Sequence, residues 1–124
     1  MRLTLDSDPD VLTIRSYEAG DILVGDQHLR APCIISATRL ITDWAAIAVH
    51  ELTDAQLEPL LQLQPKIILL GTDHTERLAP APVRRQLAGR GIALESMNLG
   101  AACRTYNVLV QERRAVVAGL FPGG

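Results

Sequence analysis

At 124 residues, with 48% hydrophobic and 21% charged side chains, the chain has the size and composition of one globular domain with a real core, which excludes a disordered or low-complexity segment. A formal net charge of -2 supplies no overall field for gripping a phosphate backbone, so nucleic acid is not an expected partner. Only 3% of the residues are aromatic, so the core has to be aliphatic.

Two cysteines, Cys33 and Cys103, are too few for the disulfide framework of a small secreted domain, and the polar start Met1-Arg2-Leu3-Thr4-Leu5-Asp6 lacks an apolar signal core. No apolar run approaches the ~20 residues that cross a bilayer. These features predict a reduced, cytoplasmic protein without a transmembrane segment.

In chain order, residues 1–10 are polar around Pro9 and predict a loosely held terminus. From Val11 to Tyr17 the side chains alternate, Leu12, Ile14 and Ser16 against Thr13, Arg15 and Tyr17, as in a half-exposed strand. Gly20-Asp21 then supports a turn into residues 22–24, and Gly25-Asp26 a second turn into residues 28–36, where Ala31-Pro32 interrupts the ladder. The first third therefore predicts an antiparallel β meander. Residues 40–44 predict a loop carrying Trp44, the only tryptophan, and residues 45–49 a strand.

Thr53 with Gln56 three residues on forms a capping-box signature, and Leu57, Leu60 and Leu61 follow at helical spacing toward Gln64. Pro65 ends that helix and opens residues 65–71, an Ile- and Leu-rich run bounded by Pro and Gly that predicts a strand covered on both faces, as in parallel sheets. After a polar loop, Pro80 and Pro82 suit a second helix start, and residues 89–91 end it between two glycines. Residues 92–97 predict a strand, Asn98 caps a third helix to about Gln111, and residues 115–120 predict the last strand before a frayed end. Strand and helix alternate after a meander, which is the pattern of a single α/β domain with a small extra β layer.

If the strands at 67–70 and 92–97 are parallel neighbours, their trailing loops open at one sheet edge, where ligands of open α/β sheets collect. The ligand or anion pocket expected there comprises Gly71, Thr72, His74, Asn98, Gly100 and Arg104. Arg104 offers a planar donor fork for a carboxylate or phosphate, with Gly100 one turn earlier permitting close approach, and equally suits a surface arginine that braces the helix. On the third helix Leu99, Cys103, Tyr106 and Val110 share an apolar face. Gly100, Arg104, Asn107 and Gln111 share another, which is either solvent or a pocket wall. Cys103 shares its face with Leu99 and Tyr106, so a structural thiol is expected rather than a nucleophile. Tyr106, Asn107 and Trp44 are expected in structural roles too.

No catalytic signature emerges. Asp73, His74 and Glu76 bear metal-ligand atoms without the spaced, rigid geometry of a metal site. Ser36, Ser96, His28 and His50 make no nucleophile elbow, and Gly71-Thr72-Asp73 is no phosphate loop. Neither a metal nor a cofactor is expected.

The segments Pro65-Lys66-Ile67-Ile68-Leu69-Leu70-Gly71-Thr72, Gly91-Ile92 and Gly100-Ala101-Ala102-Cys103-Arg104-Thr105-Tyr106-Asn107-Val108-Leu109 carry a further signal. With Trp44 and the Leu57 to Leu61 helix also in place, nearly the whole chain resembles the uncharacterised bacterial and archaeal family that includes mitochondrial complex I (NADH:ubiquinone oxidoreductase) assembly factor 3 and the adipogenesis-associated domain protein. The resemblance implies a three-layer α/β fold, its central mixed and mostly parallel sheet containing one antiparallel strand and flanked by helices and a small β layer. It also implies a protein without an established enzymatic activity, whose mitochondrial relatives act through other proteins. The sequence departs from the family pattern at Asp73, where glycine is usual, and at Asn98-Leu99, where Asp-Thr is usual.

Two readings follow. The first is a non-enzymatic interaction or assembly-factor-like module with a protein partner, by resemblance one involved in respiratory-complex or membrane-protein assembly. The alternative is a small-anion or metabolite-binding protein, or an enzyme, using the crevice after residues 67–70 and 92–97. Exposed meander strands also offer edges for pairing, which suits a homodimer.

Overall fold

The computed structural model describes Leu3 and residues 10–123. Most of the terminus expected to be loose, and Gly124, lie outside the described residues.

Short strands β1 (Ser16–Glu18), β2 (Asp21–Val24) and β3 (Gln27–Leu29) form an antiparallel meander, turning between Glu18 and Asp21 and between Val24 and Gln27. The chain then leaves this sheet. After Pro32 it enters β4 (Cys33–Ser36), which pairs antiparallel with the two-residue β5 (Leu40–Ile41) and with β8 (Val116–Phe121). Residues 28–36 are therefore not one interrupted strand. Pro32 brings no N–H to a ladder, and the chain changes sheets beside it.

The larger sheet has the order β5-β4-β8-β6-β7, with β6 (Ile67–Thr72) parallel to both β8 and β7 (Ala93–Met97). Four strands point one way and β4 alone runs against them, which is the mixed, mostly parallel sheet expected. Its side chains alternate between two cores, as a period-2 backbone requires. Cys33, Ile35, Leu69, Val116, Ala118 and Leu120 face the meander and α3 (Leu99–Gln111), whereas Ile34, Ile68, Leu70, Val117 and Phe121 face α1 (Asp54–Leu61) and α2 (Ala81–Gly89). With every residue of β8 buried, this strand is the spine of the molecule.

Local signals account for the helix starts. Thr53 Oγ1 accepts from the Gln56 N–H at 3.2 Å and Gln56 Oε1 accepts from the Thr53 N–H at 3.1 Å, a complete capping box. Asn98 Oδ1 accepts from the Ala101 N–H at 2.8 Å and opens α3.

Other segments differ from expectation as well, beginning with residues 11–15, expected in a strand, which lead into β1 without being part of it. Residues 42–48 form no strand: Ala46 and Trp44 reach into the core while Ile47 stays 75% exposed, and a 3-10 turn, Val49–Glu51, follows. Leu40–Ile41, expected in a loop, is an edge strand. Phe121 is not frayed but ends β8 against Trp44, with ring centroids 5.1 Å apart.

Candidate functional site at the carboxyl edge of the sheet

Because β6 and β7 are parallel neighbours in the register Gly71↔Met97, the segments that follow them leave from the same edge. A hydrogen bond across that edge joins them: Asp73 Oδ1 accepts from the Leu99 N–H at 3.1 Å. His74 and Asn98, adjacent to these two residues, therefore share one rim. Thr72 is buried, and its hydroxyl accepts from the His74 N–H at 3.1 Å, which folds the loop back over the strand end.

Beyond Thr72 the loop reaches the helix-pair side of the sheet. The imidazoles of His74 and His50 stack with centroids 5.1 Å apart and planes 21° from parallel. His74 Nδ1 accepts from the Glu76 N–H at 3.0 Å, so the neutral ring carries its proton on Nε2. His50 Nε2 lies 3.3 Å from Glu51 and 3.8 Å from Glu76. Sequence reasoning took up His50 only while excluding a hydrolase triad, and no local pattern ties it to a residue in the loop after β6. Among the described residues no group of three or more His, Cys, Asp or Glu side chains is arranged to hold a metal ion.

Gly71, Gly100 and Arg104 belong to the opposite side, under the meander. A Cβ on Gly71 would meet the Ala102 Cβ at 2.5 Å, so this glycine lets α3 cross close over β6. A Cβ on Gly100 would collide with the Tyr17 hydroxyl, which also accepts from Arg104 Nη1, and the guanidinium carbon lies 6.0 Å from the Tyr17 ring centroid. On this helix face Gly100 and Asn107 are buried, whereas Arg104 is exposed and lays its guanidinium along Tyr17. The buried part of the face lies under residues 12–17.

Asn107 fixes that cover. Its Oδ1 accepts from the Ile14 N–H at 2.8 Å and its Nδ2 donates to the Ile14 carbonyl at 2.9 Å, so a buried amide stands in for a neighbouring strand. The adjacent Tyr106 donates its hydroxyl to the Leu12 carbonyl at 2.8 Å. Burial pushes the Tyr106 phenol upward from its ordinary range. Cys103 is fully buried; desolvation, with smaller effects of Cys33 and Asp73 opposed by Arg104, raises its thiol to about 12. Cys33 is raised to about 12 by burial alone. A thiol held in that state is a poor nucleophile. Trp44 donates Nε1–H to the Gln56 carbonyl at 2.8 Å and packs over Gly119, where a Cβ would lie 2.8 Å from the indole.

The family model described as protein of unknown function DUF498/DUF598 matches residues 14–121, from the strand-like segment on Asn107 to the end of β8. The chain belongs to this family. Within DUF498/DUF598, the chain is similar to the 13 kDa major membrane protein of Francisella tularensis subsp. holarctica, 31% identical across 82% of this chain and 84% of that one. It is also similar to NADH dehydrogenase [ubiquinone] 1 alpha subcomplex assembly factor 3 of Bos taurus, 32% identical over 117 residues. That match takes in 92% of this chain but spans only 62% of the bovine protein. Among solved structures, an NMR structure from Xanthomonas campestris superimposes with a TM-score of 0.83 at 31% identity, covering 98% of this chain and 94% of that one.

Proposed function

We propose that this DUF498/DUF598 chain is a non-enzymatic interaction module of the assembly-factor kind, which meets other proteins at the carboxyl edge of its sheet. The observation that carries the reading is the match of 92% of the chain to a complex I assembly factor at 32% identity. Surface chemistry at that edge supports it. The segments joined by the His50–His74 stack each carry an exposed large apolar side chain, Ile47 at 75% and Leu78 at 64% exposure, the kind of group that anchors a protein contact. Among the described residues no helix is long and apolar enough to cross a membrane, so assembly of a membrane complex would proceed from its surface.

The alternative is an anion or metabolite ligand at Gly71, Thr72, His74, Asn98, Gly100 and Arg104. The rim common to His74 and Asn98 favours it. Against it, the Asp73 carboxylate already occupies the first N–H of α3, where an incoming anion would bind, and repels a second negative charge.

Cross-linking affinity capture from the native host, with wild type beside Ile47→Asp/Leu78→Asp, tests the proposal. Subunits or assembly intermediates of a respiratory or other membrane complex are expected with the wild type and are lost with the double variant. Failure of the wild type to recover any such protein, or equal recovery by both, overturns the reading. A metabolite that shifts the His74, Asn98 and Arg104 NMR resonances would turn it toward the alternative.

A further inference from the structure

The opposite edge of the larger sheet, where β6, β7 and β8 begin, has a different character. Each connection that reaches it brings a cation: Arg39 in the β4–β5 turn, Arg113 and Arg114 before β8, Lys66 before β6, and Arg90 before β7. Register places them in strand order along one line. Ser36 lies opposite Val117, and Ile67 lies opposite Val116 on one side and Ala93 on the other. With strands ~4.8 Å apart, the row extends roughly 15–20 Å.

All these cations are exposed, and among the described residues Arg39, Lys66, Arg90 and Arg114 make no ion pair. The described carboxylates near this edge are Glu112, at the end of α3, and Asp10, which approaches through the Leu12 N–H bond to the Ala37 carbonyl. At the other edge carboxylates outnumber cations around the histidine stack, where Glu51, Asp73 and Glu76 stand beside Arg77, whose Nε–H donates to the His74 carbonyl at 3.2 Å. A chain of net charge -2 is thus polarised along its strands.

Between α1 and β7 the basic edge opens into a groove of about 470 Å³, lined by Leu61, Gln64, Pro65, Lys66, Arg90 and Ile92. Its walls pair two cations with aliphatic carbon. No aromatic ring lines it, so it lacks the stacking platform of a single-strand nucleic-acid channel.

We infer that this edge docks the protein on an anionic membrane surface, the cation row contacting lipid phosphates and the groove receiving one headgroup beside its apolar wall. A cation row on a face with few carboxylates is what a negatively charged leaflet attracts, and the acidic edge would then point away from the bilayer and orient the molecule. This inference is independent of the proposed protein contact, which uses the other edge.

Vesicle co-sedimentation tests it, comparing phosphatidylcholine alone with phosphatidylcholine mixed with phosphatidylglycerol. Wild type is expected on the mixed vesicles only, and to be released when salt shortens the Debye length to about 3 Å. At about fivefold per surface cation, Lys66→Glu/Arg90→Glu should weaken binding by at least roughly 25-fold. Arg15→Glu/Arg30→Glu, an equal charge change on the meander, should leave binding unaltered. Far-UV circular dichroism checks that both pairs fold. No difference between the two vesicle types, equal binding by wild type and Lys66→Glu/Arg90→Glu, or binding to duplex DNA or an acidic peptide without binding to mixed vesicles, overturns the inference.

Discussion

Asp73 shows how a single residue can redistribute charge without changing the fold. The N-terminus of α3 carries unpaired N–H groups and the positive end of the helix dipole, and a carboxylate there is stabilising. Here the cap is the neutral Asn98, and Asp73 delivers the negative charge from the loop to the Leu99 N–H. Asp73→Ala should therefore lower stability by about 1 kcal/mol in urea unfolding, and adding Asn98→Asp should recover about half of that. Unchanged stability in Asp73→Ala would mean that the contact contributes nothing. Both caps, Thr53 and Asn98, were legible in the sequence because a cap and its target lie within three residues. The Asp73–Leu99, Tyr17–Arg104 and Asn107–Ile14 contacts were not, since each joins residues that only the folded sheet brings together.

At the scale of elements, the three helices return to the sheet through one kind of turn. Each is followed by a residue of positive φ: Gln64 at 56°, Gly91 at 71° and Arg113 at 63°. After α2, the Ile92 N–H reaches the Leu87 carbonyl and the Gly91 N–H the Ala88 carbonyl; after α3, Arg114 and Arg113 reach Leu109 and Val110 in the same way. These are Schellman motifs. After α1 only the Gln64 bond to Leu61 forms, because Pro65 has no N–H to give. The left-handed conformation disfavours a side chain, and nothing lies within 4 Å of a Cβ on Gly91, so Gly91→Ala isolates the backbone cost. It should lower stability by about 1 kcal/mol, read as a lower urea midpoint with an unchanged m-value. No change would show that the turn relaxes freely. The glycines at 89 and 91 made this stop legible, whereas Gln64 and Arg113 gave no such signal. Residues 45–49 misled for a related reason: a short apolar run reads alike as a strand or as a loop that lays Ala46 and Val49 on a core while Ile47 stays outside.

At the scale of the whole molecule, one sheet divides two aliphatic cores, and the meander side holds the buried titratable groups. Cys33, Cys103 and Tyr106 all belong to that core, and burial raises all three above their ordinary values. The consequence for stability has a definite sign. A thiol that ionises near 9.0 when unfolded but near 12 when folded favours the folded state fully below pH 9, and that contribution falls as pH climbs through the window between the two values. Within the window the unfolded chain has released protons that the folded chain retains, so each thiol contributes a slope approaching about 1.4 kcal/mol per pH unit. Two thiols acting together should therefore make the urea midpoint fall steeply from pH 9 to 10, before Tyr106 adds to the loss at higher pH. Cys103→Ala leaves a small void and starts from lower stability, but its slope over that interval should be about half that of the wild type. Because slope rather than absolute stability is the readout, packing damage cannot imitate the result. A flat pH profile in the wild type, or an undiminished slope in Cys103→Ala, would show that the thiols reach solvent in the native state, and Cys103 would regain its place as a candidate nucleophile.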